Sequence, residues 1–279
     1  MQNLAIITGR QGWHVRDLER AASLASVSVE TVDFRSIASE IPSHKPNWDA
    51  VLVRTMPPGS LEQVIFRMDV LHHWQALGIP VMNPPRALEL CIDKYLTTVK
   101  LQRAGFSVPP TMTCQDSETA LQAFQALGSD VLVKPLFGSE GRGMLRVSDV
   151  DLAWRVFRTL ERVQSVLYLQ QFVPHFGYDL RAFVLGGRIL AAMKRSSEDW
   201  RTNVAQGGRA VPFTLTDEQR ELALQVATAL DVPMAGVDLL PGKDGTCYVL
   251  ELNAVPGWRR LSKVSRIDVA SAVIGFVRE

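Results

Sequence analysis

The sequence predicts an α/β protein: a parallel sheet in its first part, followed by lobes of α+β character. Three observations carry this. Strands alternate with helices over residues 1–88, a run of strands with no helix between them follows residue 167, and turn residues mark most changes of period.

Leu4–Thr8 is a short apolar run closed by Gly9, as a buried strand requires. Trp13–Ala25 has helical spacing, Val29–Phe34 and Ala50–Arg54 are strand-like, and Leu61–Leu77 is a further helix closing at Gly78. Such alternation implies parallel strands covered on both faces. Asn83-Pro84-Pro85 breaks regular structure and ends a first unit, 1–88. Asp93 is placed to cap helix Asp93–Ala104, with Gly105 just past its end. The rest of a small lobe, 89–168, reads as helix Glu118–Leu127, strand Val131–Lys134, a glycine-rich turn, strand Leu145–Val147 and helix Asp151–Val163. In the last unit, 169–279, the segments Leu167–Val173, Leu180–Leu185 and Ile189–Arg195 have the character of strands in one antiparallel sheet. Thr216-Asp217-Glu218-Gln219 is a capping box opening helix Glu218–Leu230. Ala235–Leu240 and Cys247–Asn253 form a hairpin around Asp244-Gly245, and Asp268–Val277 is a closing helix.

Composition narrows the function. A net charge of +1 over 279 residues offers no general attraction to nucleic acid or to a membrane surface. The three cysteines, Cys91, Cys114 and Cys247, are scattered, which disfavours disulfides and a thiolate zinc site. No run approaches the ~20 apolar residues of a spanning helix, and the start lacks a basic leader. The expectation is a reduced, soluble, cytoplasmic protein.

The most informative stretch pairs Val237-Asp238 with Val249-Leu250-Glu251-Leu252-Asn253. Alternation puts Glu251 and Asn253 on one face of a strand and Leu250 and Leu252 in the core, with Asp238 on the neighbouring strand. Charges embedded in apolar strands need a partner, and an all-oxygen set suits magnesium. Equally, Asp238 and Glu251 fit the solvent side of a half-exposed sheet, each paired with an arginine.

Val131-Leu132-Val133-Lys134 runs into Gly138-Ser139-Glu140-Gly141-Arg142-Gly143. Glycines let backbone N–H groups approach phosphate oxygens, and a lysine adds a point charge. The spacing and the strand that follows exclude the dinucleotide fingerprint, no Gly-Lys-Ser/Thr occurs, and the kinase motifs are missing. A plain hairpin turn with a surface lysine also satisfies this pattern. Lys94, in the first turn of a helix, opposes the helix dipole at a cost of roughly 0.3–1 kcal/mol, which anion binding would explain and simple tolerance would too. Arg181, Arg195 and Arg201 suit charge developing on a transferring phosphoryl group, although surface ion pairs are the commoner fate of one arginine.

Taken in order, these segments resemble the ATP-grasp superfamily, most closely its RimK-like branch of amino-acid ligases. The resemblance runs over about two-thirds of the chain, from Asp93-Lys94 to the C-terminus. It takes in Lys134 with its glycine loop, Leu169-Gln170-Gln171-Phe172-Val173 and Asp179-Leu180-Arg181. Arg201-Thr202-Asn203 with Gly207-Gly208, Ala235-Gly236-Val237-Asp238 and Glu251-Leu252-Asn253-Ala254-Val255-Pro256-Gly257 complete it. It implies an ATP-grasp fold preceded by an N-terminal parallel-sheet pre-ATP-grasp domain. It further implies that Lys94 and Lys134 contact ATP phosphates, with the 138–143 loop (Gly138, Ser139, Glu140, Gly141, Arg142, Gly143) as a lid. Gln171, Phe172 and Val173 would line the adenine pocket through backbone groups, with Asp179 near the ribose. Gln171 departs from relatives that often carry an acidic residue there. Asp238, Glu251 and Asn253 would hold two Mg2+ ions, with Mn2+ able to substitute, and Arg181, Arg201 and Asn203 would face an acyl phosphate.

The activity implied is a carboxylate–amine ligase forming an amide through an acyl phosphate, with glutamate the expected amino acid. The Pro-Gly-Trp run at 256–258 favours a small-molecule acceptor, a pterin or related one-carbon carrier, over a ribosomal-protein tail or other protein. A phosphotransferase on the same fold is the alternative chemistry. No nucleic-acid or membrane partner is implied; a homo-oligomer, dimer or tetramer, is.

Overall fold

The computed structural model describes residues 1–42, 44–138, 141–197, 199–200 and 208–279. Its first sheet is four-stranded and fully parallel: β2 (Ser28–Asp33), β1 (Asn3–Thr8), β3 (Ala50–Thr55) and β4 (Val81–Met82), in that order. Helices α1 (Trp13–Leu24) and α2 (Leu61–Ala76) connect the strands. The period of two is visible in the packing. Ala5, Ile7, Val51 and Val53 enter one core, while Leu4, Ile6, Ala50 and Leu52 enter another.

The second sheet is antiparallel, in the order β5 (Thr111–Cys114), β8 (Leu167–Gln171), β6 (Val131–Lys134), β7 (Leu145–Val147). Helices α5 (Ser117–Ala126) and α6 (Val150–Arg162) cover it, around a core of its own that includes Phe124, Phe157, Val133 and Leu169. Here the structure departs from expectation. β8 pairs with β5 and β6, not with the strands that follow it, and it runs across residues 168 and 169.

The third sheet has five strands in the order β11 (Arg209–Pro212), β10 (Arg188–Ser196), β9 (Tyr178–Leu185), β12 (Met234–Pro241), β13 (Cys247–Asn253). Helix α7 (Asp217–Ala229) opens with the expected capping box between Thr216 and Gln219. The chain closes with α8 (Arg259–Ser265) and α9 (Val269–Arg278). The first and third sheets share cores: Val51 and Leu71 belong with Val237 and Leu252, and Leu4 and Leu18 with Phe183 and Trp258.

Several elements had no clear signal in the sequence: β4, β5, β11, α8 and α3 (Pro85–Ile92). α3 is instructive, because Pro85 does not break structure; it starts a helix at its first position, where its fixed φ and missing N–H are harmless. α4 (Lys94–Arg103) follows directly, capped by the Asp93 carboxylate, which accepts from the backbone N–H of Leu96 at 3.0 Å.

A buried side chain joins the first unit to the third sheet. Asn83, fully inaccessible, donates Nδ2 to the carbonyls of Met234 (2.7 Å) and Ala254 (2.5 Å) and accepts from Met234 N–H at 2.9 Å. Among the described residues no helix is long and apolar enough to cross a membrane.

Candidate active site

Alternation along the third sheet sorts its side chains. Leu180, Ala182, Val237, Leu239 and Leu252 point into the core beneath α7. The opposite face is apolar at one end (Phe183, Leu185, Met234) and polar at the other, where Asp179, Arg181, Arg195, Asp238 and Glu251 gather. Register places them side by side: Asp238 lies opposite Arg181 on β9 and Glu251 on β13, and Arg195 lies opposite Asp179.

One detail of β13 differs from simple alternation. The ladder passes from Asp238–Glu251 to Leu239–Val249, so Leu250 is an extra residue in a bulge. Val249 and Leu252 therefore fill the core, while Leu250 lines the cleft beside Glu251 instead of packing inward.

The polar end is an ion network buried in the protein. Arg195 holds Asp179 bidentately, Nε–Oδ1 2.6 Å and Nη2–Oδ2 2.8 Å, and its Nη2 also reaches Asp238 Oδ2 at 3.1 Å. Arg181 Nη2 donates to Asp238 Oδ2 at 3.1 Å; its Nε lies 2.5 Å from Oδ1 but without the alignment of a hydrogen bond. Asp179 and Asp238 are only 2 % and 3 % exposed, so Asp238 is not on a solvent-facing surface, although it is paired with arginines as that alternative had it. Burial works against the charge of Arg195, yet the attraction of Asp238 and Asp179 prevails and holds its guanidinium above the ordinary range.

Gly236 makes room in this network. A Cβ there would collide with Nη1 of Arg181 and come within 3.0 Å of Pro256 Cβ, so the guanidinium occupies the space a side chain would take.

The facing wall is the cleft side of the second sheet. Leu132, Lys134, Tyr168 and Gln170 point out of it, while Val131, Val133, Leu167 and Leu169 point into its own core. Between the walls lies a cleft with a cavity of about 100 Å³, open at the mouth. Lys134 is nearly inaccessible, and burial pushes its ammonium down to about 8, with Glu251 pulling the other way. Lys94 is likewise lowered by burial and opposed by Glu251 and Asp93. Glu251 thus acts on both lysines from the opposite wall.

Lys94 Nζ also donates to the carbonyl of Gly138 at 2.8 Å, drawing the start of the glycine loop to the cleft. Gly141 and Gly143 have φ of 69° and 73°, and a Cβ at 143 would lie 2.9 Å from Pro135 Cγ, so the loop's path needs glycine. Gly138, Gly141 and Arg142 line the cleft; Ser139 and Glu140 lie outside the described residues.

Gln171, Phe172 and Val173 line the cleft where the chain leaves β8. The N–H groups of Gln171 and Phe172 are already donated to the carbonyls of Pro110 (2.8 Å) and Asp130 (2.9 Å), so any backbone contact to a ligand falls to other groups of the segment. The Phe172 ring lies under the Arg146 guanidinium, 3.5 Å from its carbon. Asp179 reaches the cleft lining, but Arg195 binds both its oxygens. Asn253 sits at the end of β13 opposite Gly236, with Nδ2 buried and lacking a hydrogen-bond partner. Arg201 and Asn203 lie outside the described residues.

Asp238 and Glu251 lie directly opposite each other at the cleft, and their oxygens suit a hard dication; Asn253, two residues further along β13 and opposite Gly236, is not among the residues that line the cleft. Among the described residues no group of three His, Cys, Asp or Glu is placed to hold a metal. The set is thus two carboxylates and an amide; Asp238 Oδ1, a buried acceptor without an aligned donor, is an oxygen that a cation could take, whereas the unpartnered Asn253 atom is the NH2 nitrogen, a donor that a cation does not satisfy. Arg195, one of the three arginines singled out in the sequence, serves here as the partner of both Asp179 and Asp238. Gln170 and Tyr168, outside the candidate set, also line the cleft wall.

Residues 91–277 match the RimK-like ATP-grasp domain. A tetrahydromethanopterin:α-L-glutamate ligase from Methanosarcina acetivorans is 36% identical over 259 residues, covering 82% of this chain and 80% of its own. The crystal structure of a RimK domain ATP-grasp protein from Sphaerobacter thermophilus superimposes with a TM-score of 0.78 at 22% identity, over 99% of this chain and 100% of the other. The ATP-grasp ligase PsnB in complex with a minimal precursor, Mg and ADP gives 0.75 at 19% identity, over 98% and 95%. With the parallel sheet first and the two antiparallel sheets framing the cleft, the chain belongs to the RimK-like ATP-grasp family.

Proposed function

We propose that this chain is an ATP-dependent ligase that adds glutamate to a carboxylate of a small-molecule cofactor of the pterin or one-carbon-carrier class. One observation carries the reading: two lysines on one side of a cleft face two carboxylates on the other, with Arg181 and Arg195 beside them. The glutamate and pterin assignments follow from the named relative.

In this reading Lys94, Lys134 and the 138–143 loop bind the ATP phosphates. The acceptor carboxylate oxygen attacks the γ-phosphorus, the bond to the β-phosphate oxygen breaks, and ADP leaves. The glutamate amine then attacks the acyl carbon, phosphate departs, and the nitrogen loses a proton. Positioning and charge stabilisation do most of the work in such transfers. Asp238, Glu251 and Asn253 would hold two Mg2+ ions, or Mn2+ in their place, which would supply neutralisation of phosphate charge. Arg181 and Arg201 neutralise the transferring group, and the Asn203 amide donates a hydrogen bond to it.

The reading includes three units, 1–88, 89–168 and 169–279, and a cytoplasmic dimer or tetramer without nucleic-acid or membrane partners. The test is mass spectrometry of products from purified protein, ATP, Mg2+, glutamate and a panel of pterin and peptide acceptors. A mass gain of one glutamate, with ADP and phosphate released only when acid and amine are both present, is expected. A stable phosphorylated acceptor with no amide would replace the ligase by a phosphotransferase.

A further inference from the structure

We infer that Gln170 is a positioning residue that aims Lys134 into the cleft, and that Tyr168 and Thr98 brace it from the other side. The inference rests on the reading that Lys134 binds ATP phosphates.

The geometry is a hydrogen-bonded chain along the cleft wall. Gln170 lies directly between Thr111 on β5 and Leu132 on β6, diagonal to Lys134, and Tyr168 is opposite Lys134. Lys134 Nζ donates to Gln170 Oε1 at 2.5 Å. Gln170 Nε2 donates to Thr111 Oγ1 at 3.0 Å and to the Tyr168 hydroxyl at 3.4 Å. Thr111 gives its own proton to the carbonyl of Pro109 at 2.8 Å, and Tyr168 meets Thr98 Oγ1 at 2.8 Å.

Donors and acceptors fix the direction. An ammonium only donates, so the amide oxygen must face Lys134. Its NH2 then faces two hydroxyls, and Thr111, already donating elsewhere, accepts. Tyr168 can accept from Gln170 and pass its proton to Thr98. Turning the amide over would set NH2 against ammonium. Gln170 and Tyr168 are each 2 % exposed, so water cannot substitute for a lost partner cheaply.

A lysine needs such a guide. Its four-carbon stem is flexible and its head has no preferred plane, unlike a guanidinium. A charge-assisted bond to a fixed amide holds Nζ in one place before the nucleotide arrives. The chain also ends on α4: Thr98 and Lys94 are one turn apart on the same face of that helix. Lys94 reaches the glycine loop and Thr98 reaches Tyr168, so one helix seats both cations.

The test is calorimetric binding of ATP with Mg2+ and, separately, of adenosine to wild type, Gln170→Leu, Lys134→Met and the double variant. Gln170→Leu is expected to weaken ATP binding about tenfold, the range for one hydrogen bond to a charged group, and to leave adenosine within about twofold. The double variant should bind ATP no more weakly than Lys134→Met, because Gln170 acts through the lysine. Wild-type ATP affinity in Gln170→Leu, or losses that multiply in the double variant, overturns the inference. Unchanged ATP binding in Lys134→Met overturns the phosphate reading itself, and the inference with it. If Gln170→Leu does not fold, Tyr168→Phe keeps the ring and cuts only the far brace. It should weaken ATP about threefold with adenosine unchanged, and wild-type ATP affinity would again count against the chain.

Discussion

Replacing Arg195 by Met should destabilise the protein more than any other single change in the site. The Arg195 side chain is 5 % exposed, and the side chains of Asp179 and Asp238, which share it, are 3 % and 5 % exposed. Methionine keeps much of the volume and removes the charge, leaving both carboxylates with Arg181 as the other arginine of the network. Removing one partner of a buried pair costs about 3–5 kcal/mol, because an uncompensated charge stays behind. For a chain of this size each kcal/mol lowers the melting temperature by roughly 2–4 °C, so a drop of roughly 6–20 °C is expected. Circular dichroism during heating and in urea, at neutral pH, measures both. Arg195→Met with Asp179→Leu removes charges of both signs and should be no less stable than Arg195→Met alone. A single variant within about 1 kcal/mol of wild type, or a double variant with the two losses added, would refute the picture of a charge-balanced network.

Glu251→Gln is expected to cut turnover by about 10²–10³-fold, the range for losing one group that stabilises transferring charge, with circular dichroism unchanged; a variant at wild-type rate removes Glu251 from the metal site. Gly236→Ala should push the Arg181 guanidinium aside and lower kcat by up to about a hundredfold while KM for ATP stays constant, since the lysines are untouched; loss of ATP affinity instead would point to a wider rearrangement. Because burial holds Lys134 down at about 8, kcat/KM for ATP should fall as pH rises through about 8 and the ammonium gives up its proton. In Lys134→Arg, whose charge persists, that descending limb should vanish, and superimposable profiles would contradict it.

Much of the polar wall could be read in advance because its signal is local. Glu251 stands in an apolar strand, Asp238 in another, and a short turn joins them, so their encounter depended on one register. Lys134 at a strand end beside glycines is equally local, as is the Asp93 cap on α4. What escaped is set by distant neighbours. Nothing in Leu167–Gln171 says that β8 joins Thr111–Cys114 and not Tyr178–Leu185; a strand's edges look alike until its partners are known. The bulge at Leu250 depends on the ladder across from it. Arg195 stood out as a guanidinium suited to phosphoryl charge, but its bond to two buried carboxylates depends on neighbours the sequence does not show.

Asn83 has a mechanical corollary. By knotting the end of the first parallel layer to both β12 and the stretch just after β13, it makes the N-terminal third and the carboxylate-bearing sheet a single chassis. The second sheet, wrapped around its own separate interior, is the part left to swing. Opening and shutting of the enzyme should therefore register in hydrogen exchange along 105–171, while the amides around Asn83 stay among the slowest in the molecule.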